Sequence, residues 1–299
     1  MVHRRRIVVV ANPSAGAGRA AQIIPRVITA LSNAGHDVEL CQETSATRLS
    51  RRLRSALAKD SDAVVAVGGD GTVHLAINEV VPRSSTPLGV VPVGTGNDIA
   101  SSWGVPADPD EAIERLLVSV TRPTRRVDLG VADSGGQQVF FAAVYSAGFD
   151  AIVNERANAM RFPRGASRYI LALLVELAAL RPRRYTLTID GKRQEVEALL
   201  VAVANGPSFG GGMQVVPDAS IVDGKLDVFV LRRLSRLTFL RIFPRVFSGT
   251  HVAHPAVDIV RCDSVTLEVD GIVGYLDGER HAPLPVEITV KPGALEVLS

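Results

Sequence analysis

Three glycine-rich segments contain the residue types that bind phosphate. They read NPSAGAG over 12–18, GGDGT over 68–72 and GTGND over 94–98. Glycine lets backbone N–H groups approach phosphate oxygens closely, and the N-terminus of a following helix favours an anion. Asp70 stands between two glycines, where its carboxylate is unobstructed, and Mg²⁺ prefers carboxylate together with phosphate oxygens. The three segments together predict a site for a triphosphate nucleotide with Mg²⁺.

Two common nucleotide-binding motifs are absent from the sequence. No GxxxxGK followed by Ser or Thr occurs, which excludes a P-loop NTPase. The first segment continues as GAGRAA and lacks the G-x-G-x-x-G pattern, which excludes the dinucleotide fingerprint. Each glycine-rich segment alone is also typical of a plain tight turn between a strand and a helix, so the prediction depends on all three.

Two carboxylates in the second half of the chain suit acid–base chemistry. Asp277 and Glu279 flank Gly278. If this segment is extended, both side chains lie on one face of a strand. One would then act as the general base and the other as its orienter or as a metal partner. Asp-Gly is also an ordinary turn sequence, so a turn remains the alternative here and at Asp223-Gly224.

The first third of the chain alternates strand and helix patterns. Short β-branched runs predict strands at Ile7–Ala11, Val38–Cys41, Ala63–Val67 and Leu88–Pro92. Helical spacing predicts helices at Ala20–Ala34, Thr47–Ala58, Val73–Val80, Asn97–Trp103 and Asp110–Ser119. This alternation predicts a parallel sheet with helices on both faces. Ligands bind beyond the carboxyl ends of such strands, so we expect the three glycine-rich segments to meet at one edge.

Beyond 126–129 the pattern becomes mainly antiparallel β. Strands are predicted at Val127–Val131, Val139–Ala147, Arg184–Asp190, Val196–Ala204, Leu226–Leu231, Val257–Arg261, Ser264–Val269 and Val286–Val290. Asp190-Gly191 and Asp270-Gly271 are hairpin-type turn signals. Helical insertions are predicted at Arg168–Leu180 and Ser235–Phe247. We therefore predict an α/β domain over 1–127 and a β domain over 128–299.

The motifs closely resemble the diacylglycerol kinase catalytic family, which includes bacterial lipid kinases and sphingosine and ceramide kinases. Asn12-Pro13 with its glycine-rich turn, GGDGT and GTGND carry the resemblance in the first half. In the second half it is carried by SAGFD over 146–150, Asn205-Gly206 with the glycines 210–212 and PDA over 217–219, DGKLD over 223–227, and DGE over 277–279. Ser146 departs from the family, which has Asn at that position. The resemblance covers nearly the whole chain in the right order.

This resemblance implies both a fold and a set of site residues. The implied fold is an N-terminal NAD kinase-like, Rossmann-type α/β domain followed by an antiparallel β-sandwich, with a C-terminal return to the first domain that is short or missing. The nucleotide-binding positions are Asn12, Pro13, Gly16, Thr44, Gly68, Gly69, Asp70, Gly71, Thr72, Val73, His74, Thr95, Asn97 and Asp98. A structural Mg²⁺ is implied at Ser220, Asp223 and Lys225, with the carboxylate from Asp223 and backbone carbonyls from the other two.

The implied reaction is transfer of the γ-phosphate of Mg-ATP to a hydroxyl of diacylglycerol or a related lipid. Glu279 matches the family's proton acceptor, with Asp277 beside it, and Asp70 and Asp98 would manage Mg²⁺. Asp70 is the alternative general base, because it lies in the nucleotide loop near the γ-phosphate. Phosphoryl transfer needs positioning and charge neutralisation more than covalent catalysis, which suits these residue types. Two alternatives stay open: a soluble NAD kinase-like enzyme, because GGDGT recurs there, and a catalytically dead lipid-binding protein of the same fold.

Charge and hydropathy limit the partners. The 299 residues carry a formal net charge of +2, far less than a wholesale nucleic-acid binder needs. Leu231–Arg245 holds five arginines among apolar residues and no acid, which is typical of a helix at an anionic membrane surface. A helix packed on the β-sandwich with solvated arginines is the alternative. A second basic cluster covers Arg156–Arg168.

The remaining features concern location and assembly. The apolar run Ile7–Ala11 is too short for a signal peptide and suggests a first buried strand. The longest apolar stretch, Tyr169–Leu180, is too short to span a bilayer. Cys41 and Cys262 match no zinc or disulfide spacing, which fits a reducing compartment. We expect a cytoplasmic, peripherally membrane-associated protein, and a homodimer is left open.

Overall fold

The computed structural model of the chain describes residues 4–148 and 181–298 and the single positions Val153, Arg156, Met160 and Val175. The chain divides into two compact units, one made of Met1–Leu129 with Lys291–Ser299 and the other of Gly130–Val290. The predicted helix over Arg168–Leu180 and most of the basic cluster Arg156–Arg168 lie outside the described residues. So do Phe149 and Asp150 of the SAGFD motif.

The first unit is an α/β structure. Its strands are β1 (Arg6–Ala11), β2 (Asp37–Gln42), β3 (Ala63–Gly68) and β4 (Leu88–Pro92). Its helices are α1 (Ala20–Asn33), α2 (Ala46–Leu57), α3 (Asp70–Val80), α4 (Asp98–Ser102) and α5 (Pro109–Ser119). The strands pair in parallel in the order β4–β3–β1–β2. The predicted α/β fold is therefore confirmed.

The core of this unit explains the unbroken apolar runs in its strands. Val9, Val65 and Val91 are fully buried in neighbouring strands and pack with Ile24 of α1 and Leu116 of α5. Parallel strands covered by helices on both faces have no solvent side, so their sequences need not alternate. The last residues of the chain join this sheet, because Val297 and Leu298 pair in parallel with Leu88 and Gly89.

The second unit is mainly antiparallel β. Its strands are β5 (Arg125–Ser134), which begins in the first unit, β6 (Gln137–Phe141), β7 (Val144–Gly148), β8 (Arg183–Ile189), β9 (Lys192–Ala204), β10 (Leu226–Arg232), β11 (Val257–Cys262), β12 (Ser264–Glu268), β13 (Val273–Leu276), β14 (Glu279–Pro283) and β15 (Val286–Leu298). The described helix is α6 (Arg236–Ile242). The mainly antiparallel pairing is as predicted.

Pairing in this unit runs in the order β14–β13–β7–β9–β8–β12–β15, with β10 beside β9 and β11 outside β10. The predicted turn at Asp190-Gly191 joins β8 to β9 as a tight hairpin, with Ile189 opposite Lys192. The core contains Tyr145, Tyr185, Leu187 and Leu267, all nearly or fully buried.

Two predictions for this unit were wrong, and two strands were missed. The single strand Val139–Ala147 is two strands, β6 and β7, with a break at Ala142-Ala143. The strands β13 and β14 were not predicted. Asp270-Gly271 is a turn without a hairpin, because β12 pairs with β8 and β15 whereas β13 pairs with β7 and β14.

Among the described residues, the structure contains no helix with the length and apolar character needed to cross a bilayer.

Candidate functional site

The three glycine-rich loops follow β1, β3 and β4, which are neighbours in the parallel sheet. Parallel strands point the same way, so their carboxyl ends, and the loops that follow them, lie at one edge of the sheet. The next strand, β2, ends at Gln42 and brings exposed Thr44 to the same edge. The residues predicted from the three loops are therefore brought together.

Glycine is required where the loops touch. A Cβ added to Gly94 would lie 2.6 Å from the Cα of Gly69, and one added to Gly16 would collide with the carbonyl oxygen of Val93. Gly16 also adopts a φ of 59°, in the left-handed region that favours glycine. The loops after β1, β3 and β4 thus touch through their backbones and form a continuous backbone surface, with no room for a side chain at these contacts.

Side chains of the third loop hold this surface in place. Asn97 adopts a left-handed φ of 58°, accepts the Gly94 N–H through Oδ1 at 2.9 Å, and donates to the Gly94 carbonyl through Nδ2 at 3.0 Å. The Asp70 carboxylate accepts the Ile99 N–H at 3.0 Å, which orients it toward the start of α4. Asp98, the first residue of α4, is 4 % exposed, whereas Thr95 is exposed.

Arg19 is a site residue that sequence reasoning missed. Its guanidinium donates to the carbonyl oxygens of Gly16 at 3.3 Å, Val93 at 3.2 Å and Gly94 at 3.0 Å. It thereby ties the first loop to the third. The available signal was a basic residue directly after a glycine-rich loop, which reads as a phosphate ligand or as a solvated charge before any contact is known.

The second loop passes directly into α3. The helix begins at Asp70, three residues earlier than predicted, with Gly69 as its N-cap. Gly69 has no side chain with which to cap the first-turn N–H groups, and α3 has no side-chain cap. Uncapped N–H groups at a helix N-terminus, together with the positive end of the helix dipole, form an anion site.

The remaining predicted nucleotide positions differ in what they expose. Thr72 is buried and fills the space beside Gly68, and Val73 is 1 % exposed in the core. Their side chains therefore serve packing. His74, one turn into α3, is bonded by Asn78. Asn12 receives the Ser14 N–H at 2.9 Å, which shapes the first turn of the loop. Pro13 and Gly71 are half-buried beside these residues.

In the second unit, Asp277 and Glu279 do not share a strand face. Asp277 and Gly278 form the two-residue turn between β13 and β14, with φ of 51° and 87° and with Leu276 opposite Glu279. Two positive φ values in a two-residue loop are typical of a type I′ turn, for which Asp-Gly is favoured. The turn interpretation of DGE was therefore correct, and the extended one was wrong.

The Asp277 carboxylate is buried and accepts three backbone N–H groups, from Ala142 at 3.0 Å, Ala143 at 2.8 Å and Val144 at 3.3 Å. The Asp277 N–H in turn donates to the Val144 carbonyl at 3.1 Å. These bonds explain why β6 and β7 are separate strands, since their junction pairs with a side chain. Glu279, directly after the turn, is exposed.

The predicted Asn205-Gly206 motif meets the same junction from its other side. Asn205 Nδ2 donates to the Ala142 carbonyl at 2.8 Å, and the N–H groups of Asn205 and Gly206 both donate to the Ala143 carbonyl at 2.9 Å. Two motifs that lie more than 70 residues apart in the sequence are thus joined through Ala142-Ala143. Nothing in the sequence of two alanines indicated this role.

A buried tyrosine below the turn is not an acid–base candidate. Tyr145 lies opposite Leu276, and a Cβ on Gly274 would collide with the tyrosine hydroxyl. Burial raises the pKa of Tyr145 far above its ordinary value, so the hydroxyl stays protonated. Glu279 is the exposed carboxylate next to this turn.

The predicted magnesium residues lie around one turn of the second unit. Asp223 Oδ1 accepts the Lys225 N–H at 3.1 Å, and its Oδ2 lies 3.5 Å from Nη2 of Arg261. The Lys225 ammonium pairs with Asp263 at 2.7 Å, which raises the Lys225 pKa. Ser220 Oγ receives the Val222 N–H at 3.4 Å. One carboxylate with turn carbonyls suits Mg²⁺ by donor type, although the Arg261 guanidinium lies between this carboxylate and that of Asp227.

Within the described ranges, no group of three or more His, Cys, Asp or Glu side chains is arranged to hold a metal ion. Burial of Cys262 raises its pKa to about 12, so this thiol stays protonated. Cys262 therefore does not supply a thiolate ligand for a metal ion.

Comparison with known proteins identifies both halves of the chain. Residues 6–132 match the diacylglycerol kinase catalytic domain, and residues 142–299 match the YegS C-terminal NAD kinase beta sandwich-like domain. A diacylglycerol kinase of Mycobacterium tuberculosis is 39% identical over 295 residues, covering 98% of this chain and 94% of the relative. One from Bacillus subtilis is 27% identical over 286 residues, with 95% and 92% covered.

Solved structures share the fold. A diacylglycerol kinase from Bacillus anthracis superposes with a TM-score of 0.73 at 21% identity, covering 100% of this chain and 98% of the other. An NAD kinase from Archaeoglobus fulgidus in complex with ATP gives a TM-score of 0.53 at 14% identity, with 98% and 92% covered. The family predicted from the motifs is thus confirmed: the chain belongs to the diacylglycerol kinase catalytic-domain family of lipid kinases.

Proposed function

We propose that this protein transfers the γ-phosphate of Mg-ATP to a hydroxyl group of diacylglycerol or a related lipid. The observation that carries the proposal is the backbone surface formed where Gly16, Gly69 and Gly94 bring the three loops together at the edge of the parallel sheet. Such a surface, next to an uncapped helix N-terminus, suits a polyphosphate. Family membership supports the lipid hydroxyl as acceptor.

The first unit supplies the nucleotide site. The first-turn N–H groups of α3 would bind phosphate oxygens, and the glycines of the loops would let the chain approach them. Asp70, oriented by Ile99, would hold Mg²⁺ together with Asp98. When bound, Mg²⁺ neutralises charge on the transferred phosphoryl group. Asn12, Thr44 and Thr95 lie along the same edge, where they would contact the rest of the nucleotide.

Glu279 would accept the proton of the lipid hydroxyl. It is exposed and stands directly after a turn whose conformation is held by the buried Asp277. A carboxylate placed on a rigid hairpin can take a proton in the transition state without reorganisation. Asp277 then positions Glu279 through the hairpin, because its own oxygens already accept backbone N–H groups.

Ser220, Asp223 and Lys225 would hold a structural Mg²⁺ when Arg261 turns aside. The enzyme would work in the cytoplasm at a membrane surface, because its acceptor is a lipid, and a homodimer is compatible with this role. No nucleic acid is involved.

Incubation of the pure protein with labelled ATP, Mg²⁺ and a panel of hydroxyl lipids tests the proposal, with NAD as a parallel acceptor. We expect label in a lipid product. Label in NAD alone would support the NAD kinase-like alternative. No transfer to any acceptor, with lipid binding intact, would support a catalytically dead protein of the same fold.

A further inference from the structure

The segment that connects β10 to β11 in the second unit carries exposed apolar side chains. We define the α6 patch as the outward side chains of α6 and of the segment that follows it, up to Phe247. Leu237 is 69% exposed, Leu240 46% and Phe247 54%. Large apolar side chains this exposed, grouped in one short segment, mark an interaction surface.

The arrangement around the helix separates these residues from the core. At about 3.6 residues per turn, Phe239 and Ile242 share one side of α6, and both are buried. Leu237 and Leu240 lie on the opposite side. The helix is therefore apolar on two faces, and only the inner face is covered.

Arginines border the outer leucines. Around the helix circumference Arg236 comes before Leu240, and Arg241 comes after Leu237, so the two leucines lie between two exposed guanidinium groups. Arg233 and Arg245, just outside the helix, are exposed as well. None of these four arginines forms an ion pair with another described residue, in contrast to Arg232, which pairs with Asp258.

The patch carries positive charge without any acid. The sequence from Val228 to Val257 contains no Asp or Glu. The segment is also built to hold its shape, because Ser235 caps α6 through the Thr238 N–H at 3.1 Å, and Phe239, Phe243 and Phe247 contact one another in series at 5.7 Å and 6.3 Å. Phe247 is thus fixed at the exposed end of a row of rings whose other end is buried.

We propose that the α6 patch docks this protein on an anionic lipid bilayer, with Leu237, Leu240 and Phe247 inserted among the lipids and the arginines at the headgroups. Two leucines between arginines match the depth profile of an interface, where apolar groups enter the acyl region and guanidinium groups stay with phosphates. The positive charge selects anionic headgroups. This inference rests on the proposed lipid kinase function, because it describes how the enzyme reaches a membrane-bound acceptor.

Sedimentation of the full chain with vesicles tests this docking. Vesicles of phosphatidylcholine with phosphatidylglycerol are compared with vesicles of phosphatidylcholine alone, at low and high salt. We expect binding to the anionic vesicles that weakens with salt, since surface charge is screened. The double variant Leu237→Ser/Leu240→Ser should weaken binding at least about tenfold, because each exposed leucine would otherwise be buried. The variant Arg236→Gln/Arg241→Gln should bind less tightly and depend less on salt than the wild type, because two of the four exposed arginines are removed.

Matched controls come from exposed residues outside the patch. Val118→Ser removes an apolar side chain that is 45% exposed on α5, and Arg193→Gln removes an exposed arginine on β9. Both should bind vesicles like the wild type. If the wild type does not bind anionic vesicles, or the leucine variant binds unchanged, the docking proposal is wrong. A dimer that dissociates in the leucine variant, without vesicle binding, would instead assign the patch to a second copy of the chain.

Assay in detergent micelles separates this proposal from the proposed function. The patch variants should phosphorylate micellar lipid at the wild-type rate and lose activity only on vesicles. A wild type that transfers phosphate in micelles without binding vesicles would overturn the docking and leave the reaction intact. Vesicle binding without phosphate transfer in either system would overturn the proposed reaction and leave the docking intact.

Discussion

The Arg19 guanidinium donates to the carbonyl oxygen of Gly94 at 3.0 Å, although the two residues belong to different loops of the candidate nucleotide site. With its bonds to Gly16 and Val93, this contact fixes the spacing of the first and third loops. Because Arg19 is exposed, its three hydrogen bonds to carbonyl oxygens add little to the stability of the fold. They do order the two loops, which must fit a ligand.

We therefore expect Arg19→Gln to raise the KM for ATP about tenfold while the unfolding free energy changes by less than about 1 kcal/mol. Arg26→Gln is the matched control, since Arg26 lies on α1 but pairs with the Asp110 carboxylate on α5. Steady-state kinetics and urea unfolding measure the two quantities. An unchanged KM in Arg19→Gln would show that the clamp is dispensable.

Glu279 and Asp70 should have separable kinetic phenotypes. Loss of a general base lowers kcat by about 10²–10⁴ and leaves ground-state nucleotide binding nearly intact. Glu279→Gln should therefore lower kcat with little change in ATP affinity, and Asp70→Asn should raise the Mg²⁺ concentration needed for activity. Glu287→Gln, an exposed glutamate on β15, serves as the control. Exchanged phenotypes would reverse the assignment.

Asp277→Asn should destabilise the protein, in contrast to Glu279→Gln. Asparagine tolerates the left-handed φ of this turn, so the variant keeps the backbone conformation. Its amide group, however, cannot accept all the N–H groups of Ala142, Ala143 and Val144, and an unsatisfied buried donor costs about 1–3 kcal/mol. Urea unfolding measures the loss. Full stability combined with lost activity would make Asp277 a catalytic residue instead.

The predicted Mg²⁺ at Asp223 has a clear thermal signature. If the site binds the ion, adding Mg²⁺ to EDTA-treated protein raises the melting temperature of the wild type and has no effect on Asp223→Ala. Because Arg261 lies 3.5 Å from the same carboxylate, Arg261→Gln should increase the Mg²⁺-dependent rise. Equal melting temperatures with and without Mg²⁺ in all three proteins would show that the turn does not bind the ion and that the Asp223 carboxylate interacts with Arg261 instead.

Glu79 should make stability depend on pH in the acid range. Burial acts to raise its pKa, but hydrogen bonds from Arg54 and Ser50 and the charge of Arg83 hold the pKa below the ordinary 4.5. A carboxylate with a lowered folded pKa contributes stability above its unfolded pKa, and this contribution is lost as pH falls through the folded value.

We expect Glu79→Gln to lose about 1–2 kcal/mol at neutral pH, with the difference from wild type shrinking as pH falls below 4.5. Urea unfolding at several pH values measures the difference. Glu111→Gln, on the exposed first turn of α5, controls for the removal of one charge. A difference that stays constant with pH would exclude ionised Glu79 as the source.

Local patterns were enough to predict the first unit. The strands β1, β3 and β4 are unbroken apolar runs whose burial on both faces leaves no alternation to misread, and the glycine-rich loops stand directly after them. Helix α3 was placed three residues late because Asp70 and Gly71 suggest a turn. Asp70 and Gly71 are instead the first residues of the helix, because Gly69 is its N-cap and joins it directly to the end of β3.

The second unit shows where local patterns fail. Strands β13 and β14 are short, and Asp277-Gly278 was open to both a turn and an extended reading. The choice depended on Ala142 and Ala143, which lie more than 130 residues away and donate to the Asp277 carboxylate. A one-sequence pattern contains no information about such partners, since alanine has no side-chain chemistry to reveal them.

The sequence by itself determined the family, the α/β and β-sandwich architecture, and the segments that carry the chemistry, because glycine spacing and strand periodicity are local properties of the chain. Tertiary structure alone decided that Arg19 clamps two loops, that Asp277 anchors a turn while Glu279 stays exposed, and that Leu237 and Leu240 face away from the core. The first two depend on which backbone groups come within about 3 Å of a side chain, and the third depends on which face of α6 packs against the core. Long-range packing sets all of them.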